Sequence, residues 1–362
     1  MDITTPRQIG KSSVKVTPLG LGCGTIGSTD VSNPTSFATI DSAWETGVRF
    51  FDTAPWYGLG MSERRLGLAL TGKSDRSLYH INTKVGKSLV AEPFQNDTNL
   101  TFSPGGEVRT PYDPITGFRV HFDYTYEKIM LQHSDSLQRL GHASVDSLTI
   151  HDMDYGYHDQ SQIEIHIEEL SREGGGGALA LEQLRTNGHI QAIGCGCNLE
   201  NRNTDSWLTD AHEDLIDRIA DTVDLDFLVI AGGYTLLENR ALRRVLPLCE
   251  SRNIGVIIAS PFASGWLVNP GQAAYMYGEA PPEIADRSEK IQAICQRYSV
   301  PIAAVAIQFT LAHPAVAAVI PGAKSPCEPK QNYDFLHTLV PNEIWKELKE
   351  ASLIENDAPV PK

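Results

Sequence analysis

The feature that most constrains this chain is an alternation, repeated eight times, between short apolar runs and amphipathic stretches. Strands are expected near 19–23, 48–51, 79–83, 146–150, 191–195, 226–230, 255–259 and 317–320. Helices are expected from Pro34 to Gly47 and near 62–71, 125–140, 178–187, 207–222, 237–252, 285–299 and 302–312. The first shows the pattern plainly: Phe37, Ile40 and Trp44 recur at spacings of three and four, and Gly47 ends it. Strands alternating with helices argue for a parallel sheet, and eight units argue for a closed (β/α)8 TIM barrel. Periodicity alone leaves an open doubly wound sheet as the alternative. In either fold ligands bind at the C-terminal ends of the strands. The 362 residues are read as a single domain over 1–362, since α/β barrels run long as one unit. Residues 7–17 read as an N-terminal β-hairpin turned at Gly10-Lys11.

Three segments exceed a minimal barrel. Residues 85–123 form a long Pro-, Gly- and aromatic-rich stretch after the third strand, and a loop of that length is expected to be a lid over the substrate. The run ending in Gly174–Gly177 reads as a flexible connector rather than a nucleotide cradle. Residues 266–284 make another long strand-end loop at the same mouth. The tail from 341 carries one helix, NEIWKELKEA, and residues 354–362 are expected to be disordered.

A formal net charge of −15 disfavours nucleic acid and anionic membrane as partners. No apolar run reaches the roughly 18–20 residues needed to span a bilayer, and MDITTPRQIG lacks the pattern of a signal peptide. A cytoplasmic location is therefore expected. The six cysteines, Cys23, Cys195, Cys197, Cys249, Cys295 and Cys327, have no framework spacing and read as reduced, buried thiols. The glycines of Leu19–Gly24 do not form a dinucleotide fingerprint and read as small residues lining a barrel mouth.

Four residues at strand ends carry the chemistry. Asp52 ends the apolar run Val48–Phe51, and Tyr57 follows in a Gly- and Pro-bearing turn. Lys84 ends LYHINTK, and His151 ends VDSLTIH. A phenol titrates near 10 in water, and a neighbouring ammonium favours its ionised form. Lys84 can supply that ammonium, Asp52 can keep it charged and aimed, and His151 adds a hydrogen-bond partner and a second proton route. This is equipment for moving a proton to or from an oxygen while something else moves a hydride. No Ser or Cys nucleophile accompanies it. Asp152 and Asp154 read as loop carboxylates, and no metal site is expected.

The segment FFDTAPWYGLGMSERRLG, with Lys84 and His151 in order after it, resembles the signature of the aldo-keto reductases, and the resemblance runs from about residue 14 to 340. It implies a closed barrel, Asp52, Tyr57, Lys84 and His151 as the catalytic tetrad, and a nicotinamide dinucleotide across the mouth. It also implies cofactor contacts at Gly24, Thr25, Asp52 and Asn198, at Ser260, Phe262, Ser264 and Gly265 over the pyrophosphate, and at Gly322, Lys324, Glu328, Gln331 and Asn332 around the adenosine. Two positions depart from the pattern. Ala259 stands where a tyrosine usually stacks on nicotinamide, leaving that task to Phe262 or another aromatic, and Ala231 replaces a common polar residue. Gly322 in place of a lysine and Glu328 in place of an arginine imply NAD rather than NADP, with Lys324 able to rescue some NADP binding.

Within the family, the insertion before FDYTYEKIM, the IHD end of the fourth strand and AGGYTLLENR resemble the sugar-oxidising branch. That branch is typified by D-threo-aldose 1-dehydrogenase (L-fucose or L-galactose dehydrogenase), with pyridoxal 4-dehydrogenase as its relative. The implied reaction is oxidation of an aldose at C1 to the lactone, and the implied partner is a small-molecule sugar. An NADPH-dependent aldehyde or ketone reductase, pyridoxal 4-dehydrogenase and a non-catalytic cofactor-sensing barrel subunit stay open as alternatives. The oligomeric state is not legible in the sequence.

Overall fold

The computed structural model describes residues 4–73, 75–91, 117–171, 175–199, 210–276 and 278–361. The hairpin forms from β1 (Arg7–Gln8) and β2 (Lys15–Val16), with Arg7 opposite Val16. Eight parallel strands follow: β3 (Leu21–Gly22), β4 (Phe50–Asp52), β5 (His80–Val85), then β8 (Ser147–His151), β9 (Ala192–Asn198), β10 (Phe227–Ala231), β11 (Gly255–Ala259) and β12 (Val316–Ile320). Each pairs with its neighbour in chain order. Parallel bridges Leu19–Val319 and Gly22–Gly322 join the last strand to the first and close the barrel. Between β5 and β8 the antiparallel ribbon of β6 (Lys87–Ala91) and β7 (Phe118–Phe122) rises from the mouth.

Helices cover the outside: α1 (Asn33–Glu45), α2 (Met61–Thr71), α3 (Tyr126–Leu140), α4 (Gln160–Ser171), α5 (Gly177–Thr186), α6 (Ala211–Thr222), α7 (Val245–Arg252), α8 (Pro282–Arg297), α9 (Ile302–Leu311), α10 (Cys327–His337) and α11 (Asn342–Glu350). Ser32 caps α1 by accepting from the Thr35 amide, and proline opens its first turn. One apolar layer lies between strands and helices. A second fills the barrel, where Phe50, Phe227, Val229, Ile257 and Ile320 pack with Ile9, Val14 and Val16 of the hairpin. The hairpin therefore closes the floor, and ligands have the opposite mouth.

Several expectations need correction. The glycine run is not a flexible connector where it is described. A Cβ on Gly177 would stand 2.1 Å from the Tyr124 carbonyl oxygen, so α5 packs against the chain there because it has no side chain. Before it, QSQIEIHIEELS is a helix that the strand–helix count did not include. The expected helix 237–252 is a 3-10 turn, Arg240–Leu242, followed by α7. The tail is ordered through 361: Ile354 and Ala358 are buried, the Glu355 amide donates to Asn239 Oδ1, and Lys349 Nζ donates to the carbonyls of Asn356 and Ala358. Apolar residues at 353, 354 and 358 outweighed the prolines. Cys23, Cys195, Cys249 and Cys295 are buried free thiols, whereas Cys327 is exposed at the start of α10. Most of the expected lid, residues 92–116, lies outside the described residues; its base is the β6–β7 ribbon. Among the described residues no helix is long and apolar enough to cross a membrane.

His80, at the start of β5, shares a hydrogen bond with Ser147 Oγ at 2.9 Å and packs edge-on to Phe50. Burial lowers its pKa to about 4; Asp146 opposes this and Arg76 adds to it. The unfolded chain binds this proton below its ordinary value near 6.5, and the folded chain does so only near 4. Its stabilising effect is full above 6.5 and is lost as the pH falls to about 4, on the order of 3 kcal/mol. Replacing His80 by Gln should flatten the loss of thermal stability between pH 6.5 and 4. An unchanged slope would show that other groups govern acid unfolding.

Candidate active site

Strand register sets the site. Gly22, Asp52 and Asn82 lie side by side, Lys84 is level with Thr149, His151 with Gly196, Asn198 with Ala231, and Ala231 with Ala259. Every strand points the same way, so these ends share one rim. After Asp52 the chain turns through Gly58 and Gly60 into α2. Ser62 then fastens this turn, donating to the Cys23 carbonyl and sharing a bond with Thr53 Oγ1. Glu63, fully buried, anchors the helix by accepting from Arg139 Nε and Thr83 Oγ1.

The four expected residues come together. Lys84 Nζ donates to Asp52 Oδ1 at 2.6 Å and to the Thr53 carbonyl at 2.8 Å, and Asn82 Nδ2 donates to Asp52 Oδ2 at 2.7 Å. The lysine and aspartate are 2% and 3% exposed, so the pair is held in a dry setting where its field is weakly screened. The ammonium lies 4.9 Å from the centre of the Tyr57 ring. That ring stands at 86° to the His151 imidazole, with centres 5.6 Å apart. Tyr57 is partly exposed at the mouth, while the groups behind it are buried. Burial lowers the His151 pKa well below its ordinary value; Asp152 works against this, and Lys87 and Lys84 reinforce it. Burial thus favours the uncharged imidazole over the imidazolium.

The expected cofactor contacts are spread over the same rim. Asn198 is held by Asp154, whose Oδ2 accepts from both its backbone amide, at 3.0 Å, and its Nδ2, at 3.1 Å. Thr25 Oγ1 donates to the Ala323 carbonyl, tying the start of the barrel to its end beside Gly24 and Gly322. Ser260, Ala263 and Ser264 adopt left-handed backbone with φ of 52°, 49° and 58°, a costly conformation for residues with a side chain. Within that turn, Ser264 Oγ is buried without a partner among the described residues. Within this loop the amides of Ala263 and Gly265 donate to the carbonyls of Ser260 and Phe262, so the turns close on themselves at the rim. Lys324 Nζ is paired with Asp30 at 2.9 Å. Glu328 accepts from the Lys324 amide and from Ser325 Oγ, while Gln331 is exposed and Asn332 buried on the same helix.

The sequence of residues 18–353 matches the Aldo/keto reductase family. The chain belongs to that family. This aldo/keto reductase is 35% identical to pyridoxal 4-dehydrogenase of Microbacterium luteolum over 354 residues, covering 96% of this chain and 97% of that protein. It is 34% identical to D-threo-aldose 1-dehydrogenase of a Pseudomonas species over 348 residues, covering 95% and 96%. Its fold is that of an aldo-keto reductase from Bacillus halodurans solved in its holo form, with a TM-score of 0.68 at 22% identity, covering 99% of this chain and 98% of that one.

Sequence reasoning missed several supporting groups in this reductase: Asn82 and Glu63, which brace Asp52 and α2, Asp30, which engages Lys324, and the pair Lys87–Asp152. Lys87 alone gave a signal, a charge directly after the Val85-Gly86 strand end. Its partner Asp152 is 65 residues away. Among the described residues no cluster of three metal-ligating side chains occurs.

Proposed function

We propose that this reductase oxidises an aldose at its anomeric carbon to the lactone, with NAD as hydride acceptor. The observation carrying the chemistry is the buried Lys84–Asp52 pair set under the Tyr57 ring, with the His151 imidazole facing it. The aldose assignment rests on the 34% identity to D-threo-aldose 1-dehydrogenase over nearly the whole chain. When bound, the nicotinamide supplies an electrophilic carbon that accepts a hydride. The protein's part is to remove the hydroxyl proton and hold the sugar. The Lys84 ammonium favours a negative charge on the phenol oxygen, so Tyr57 is the group that takes the proton of the anomeric hydroxyl as C1 loses its hydrogen with both bonding electrons. The C1–O bond becomes a carbonyl, and the proton rests on the tyrosine until it passes to solvent. His151 steers the same oxygen.

A second reading is oxidation of the pyridoxal hemiacetal, supported by the 35% identity to pyridoxal 4-dehydrogenase. Both substrates present a hydroxyl beside a ring oxygen, so one panel separates them. Purified protein, NAD and a set of aldoses plus pyridoxal are followed at the reduced-nicotinamide absorbance. Turnover of an aldose with higher kcat/KM than pyridoxal is expected. Turnover of pyridoxal alone would replace the reading, and activity only with NADPH and aldehydes would remove it.

Cofactor choice follows from the rim. Gly322 offers no charge to a 2′-phosphate, Glu328 repels one, and Lys324 is engaged by Asp30. Losing a charge-assisted contact costs roughly ten- to a hundredfold in affinity. NAD should therefore be preferred over NADP by at least about tenfold in kcat/KM. Asp30→Asn should free Lys324, and Glu328→Arg should add a cation; each should narrow the gap, read as dissociation constants by titration of both cofactors. A wild-type preference for NADP would remove this assignment.

A further inference from the structure

A second ion pair lies beside the first and has no part in the proton transfer just described. Lys87 is 1% exposed, and its ammonium donates to Asp152 Oδ2 at 2.6 Å. It lies over three ring faces, Tyr157 at 4.4 Å, Trp56 at 4.6 Å and Phe122 at 5.1 Å. A buried lysine is costly unless it is paired, and this one is paired with a carboxylate that has a further neighbour. The same Oδ2 is 3.3 Å from His151 Nε2. Asp152 follows His151 directly, with φ of 49°, and its amide donates to the Gly196 carbonyl. That left-handed turn brings its carboxylate back to the imidazole instead of onward along the strand. At the other end of the ring, Nδ1 is buried and accepts no hydrogen bond among the described residues.

We propose that Asp152, held by Lys87, is a positioning residue that fixes His151 as the Nε2–H tautomer. A carboxylate accepts and cannot donate, so the nitrogen facing it carries the hydrogen. This rests on the proton-transfer reading above and sharpens it. The single Nε2–H is then shared between the Asp152 carboxylate, 3.3 Å away, and a substrate oxygen at the mouth, and Tyr57 is left as the group that receives the substrate's proton. The groups facing His151 are Asp152, Lys87 from the β6 ribbon, Lys84 from β5 with Asp52 behind it, and Tyr57 from the loop before α2. Tyr124 donates to its carbonyl from the far side. Lys87 tempers the carboxylate: with it, Asp152 orients the ring without drawing a second proton onto it.

The test is the tautomer itself, read by nitrogen-15 NMR of histidine-labelled protein, with His151 assigned through a His151→Gln variant. The wild type should show Nε2–H and bare Nδ1 from pH 6 to 8, a reading that needs no substrate. Asparagine tolerates left-handed backbone, so Asp152→Asn keeps the turn. Lys87 would hold the new amide's oxygen and turn its NH₂ toward the ring, so the tautomer should switch to Nδ1–H. Turnover should then fall roughly 10²-fold while cofactor affinity stays unchanged. Lys87→Met should act oppositely on charge: the carboxylate loses its cation, His151 takes up a proton more readily, and the acid limb of the pH–rate profile should move to higher pH. In Asp152→Asn that limb should move to lower pH. Wild-type protein with Nδ1–H or an imidazolium at neutral pH would overturn the proposal, as would both variants moving the limb the same way. If no aldose in the panel is oxidised, the functional reading fails while the tautomer measurement still decides this one.

Discussion

Replacing Tyr57 with Phe should lower turnover by roughly 10²–10⁴-fold, the usual contribution of a positioned acid–base group, while leaving NAD affinity and thermal stability nearly intact. The ring's neighbours, the Lys84 ammonium at 4.9 Å and the His151 imidazole at 5.6 Å, remain in place, so only the hydroxyl is lost. A fall confined to kcat would match a group that acts in the transition state. Turnover within about threefold of wild type would remove Tyr57 from its role.

Lys84→Met should be more damaging, in two separable ways. It leaves Asp52, 3% exposed, with the Asn82 amide but no cation, and breaking a buried pair from one side costs about 3–5 kcal/mol. It also removes the positive charge beside Tyr57, so turnover should fall as steeply as in Tyr57→Phe. The double variant Asp52→Asn/Lys84→Met separates the two. Replacing both charges with uncharged side chains of similar size is often near neutral, so most of the melting temperature should return while activity does not. Recovery of activity along with stability would show that the pair serves the fold alone.

Much of this is legible in the sequence. Asp52, Lys84 and His151 each end an apolar run, and in a parallel barrel the run's end is the mouth, so order along the chain located three of the four groups. Tyr57 was legible because Pro55, Gly58 and Gly60 mark a tight turn after the first of them. The order of the tail is not legible in the sequence for a related reason. Proline content is a local signal, whereas the burial of Ile354 and Ala358 depends on a surface supplied elsewhere in the chain.

The chain by itself therefore determined the strands, most of the helices, the direction of the sheet and the rim on which the chemistry sits, since periods of 2 and 3.6 residues are properties of neighbours in sequence. Tertiary structure alone decided which charges meet. Lys87 reaches Asp152 across 65 residues because β5 and β8 pair side by side, and Lys324 reaches Asp30 across 294 because barrel closure brings the last strand beside the first. Lysines 84 and 87 look alike in sequence, three residues apart. Gly86, with φ of 101° and no room for a Cβ against Tyr124, turns the chain between them out of the barrel. One ammonium is thereby set under the phenol and the other behind the imidazole's carboxylate. That assignment depends on distances across the closed barrel, which no local pattern encodes.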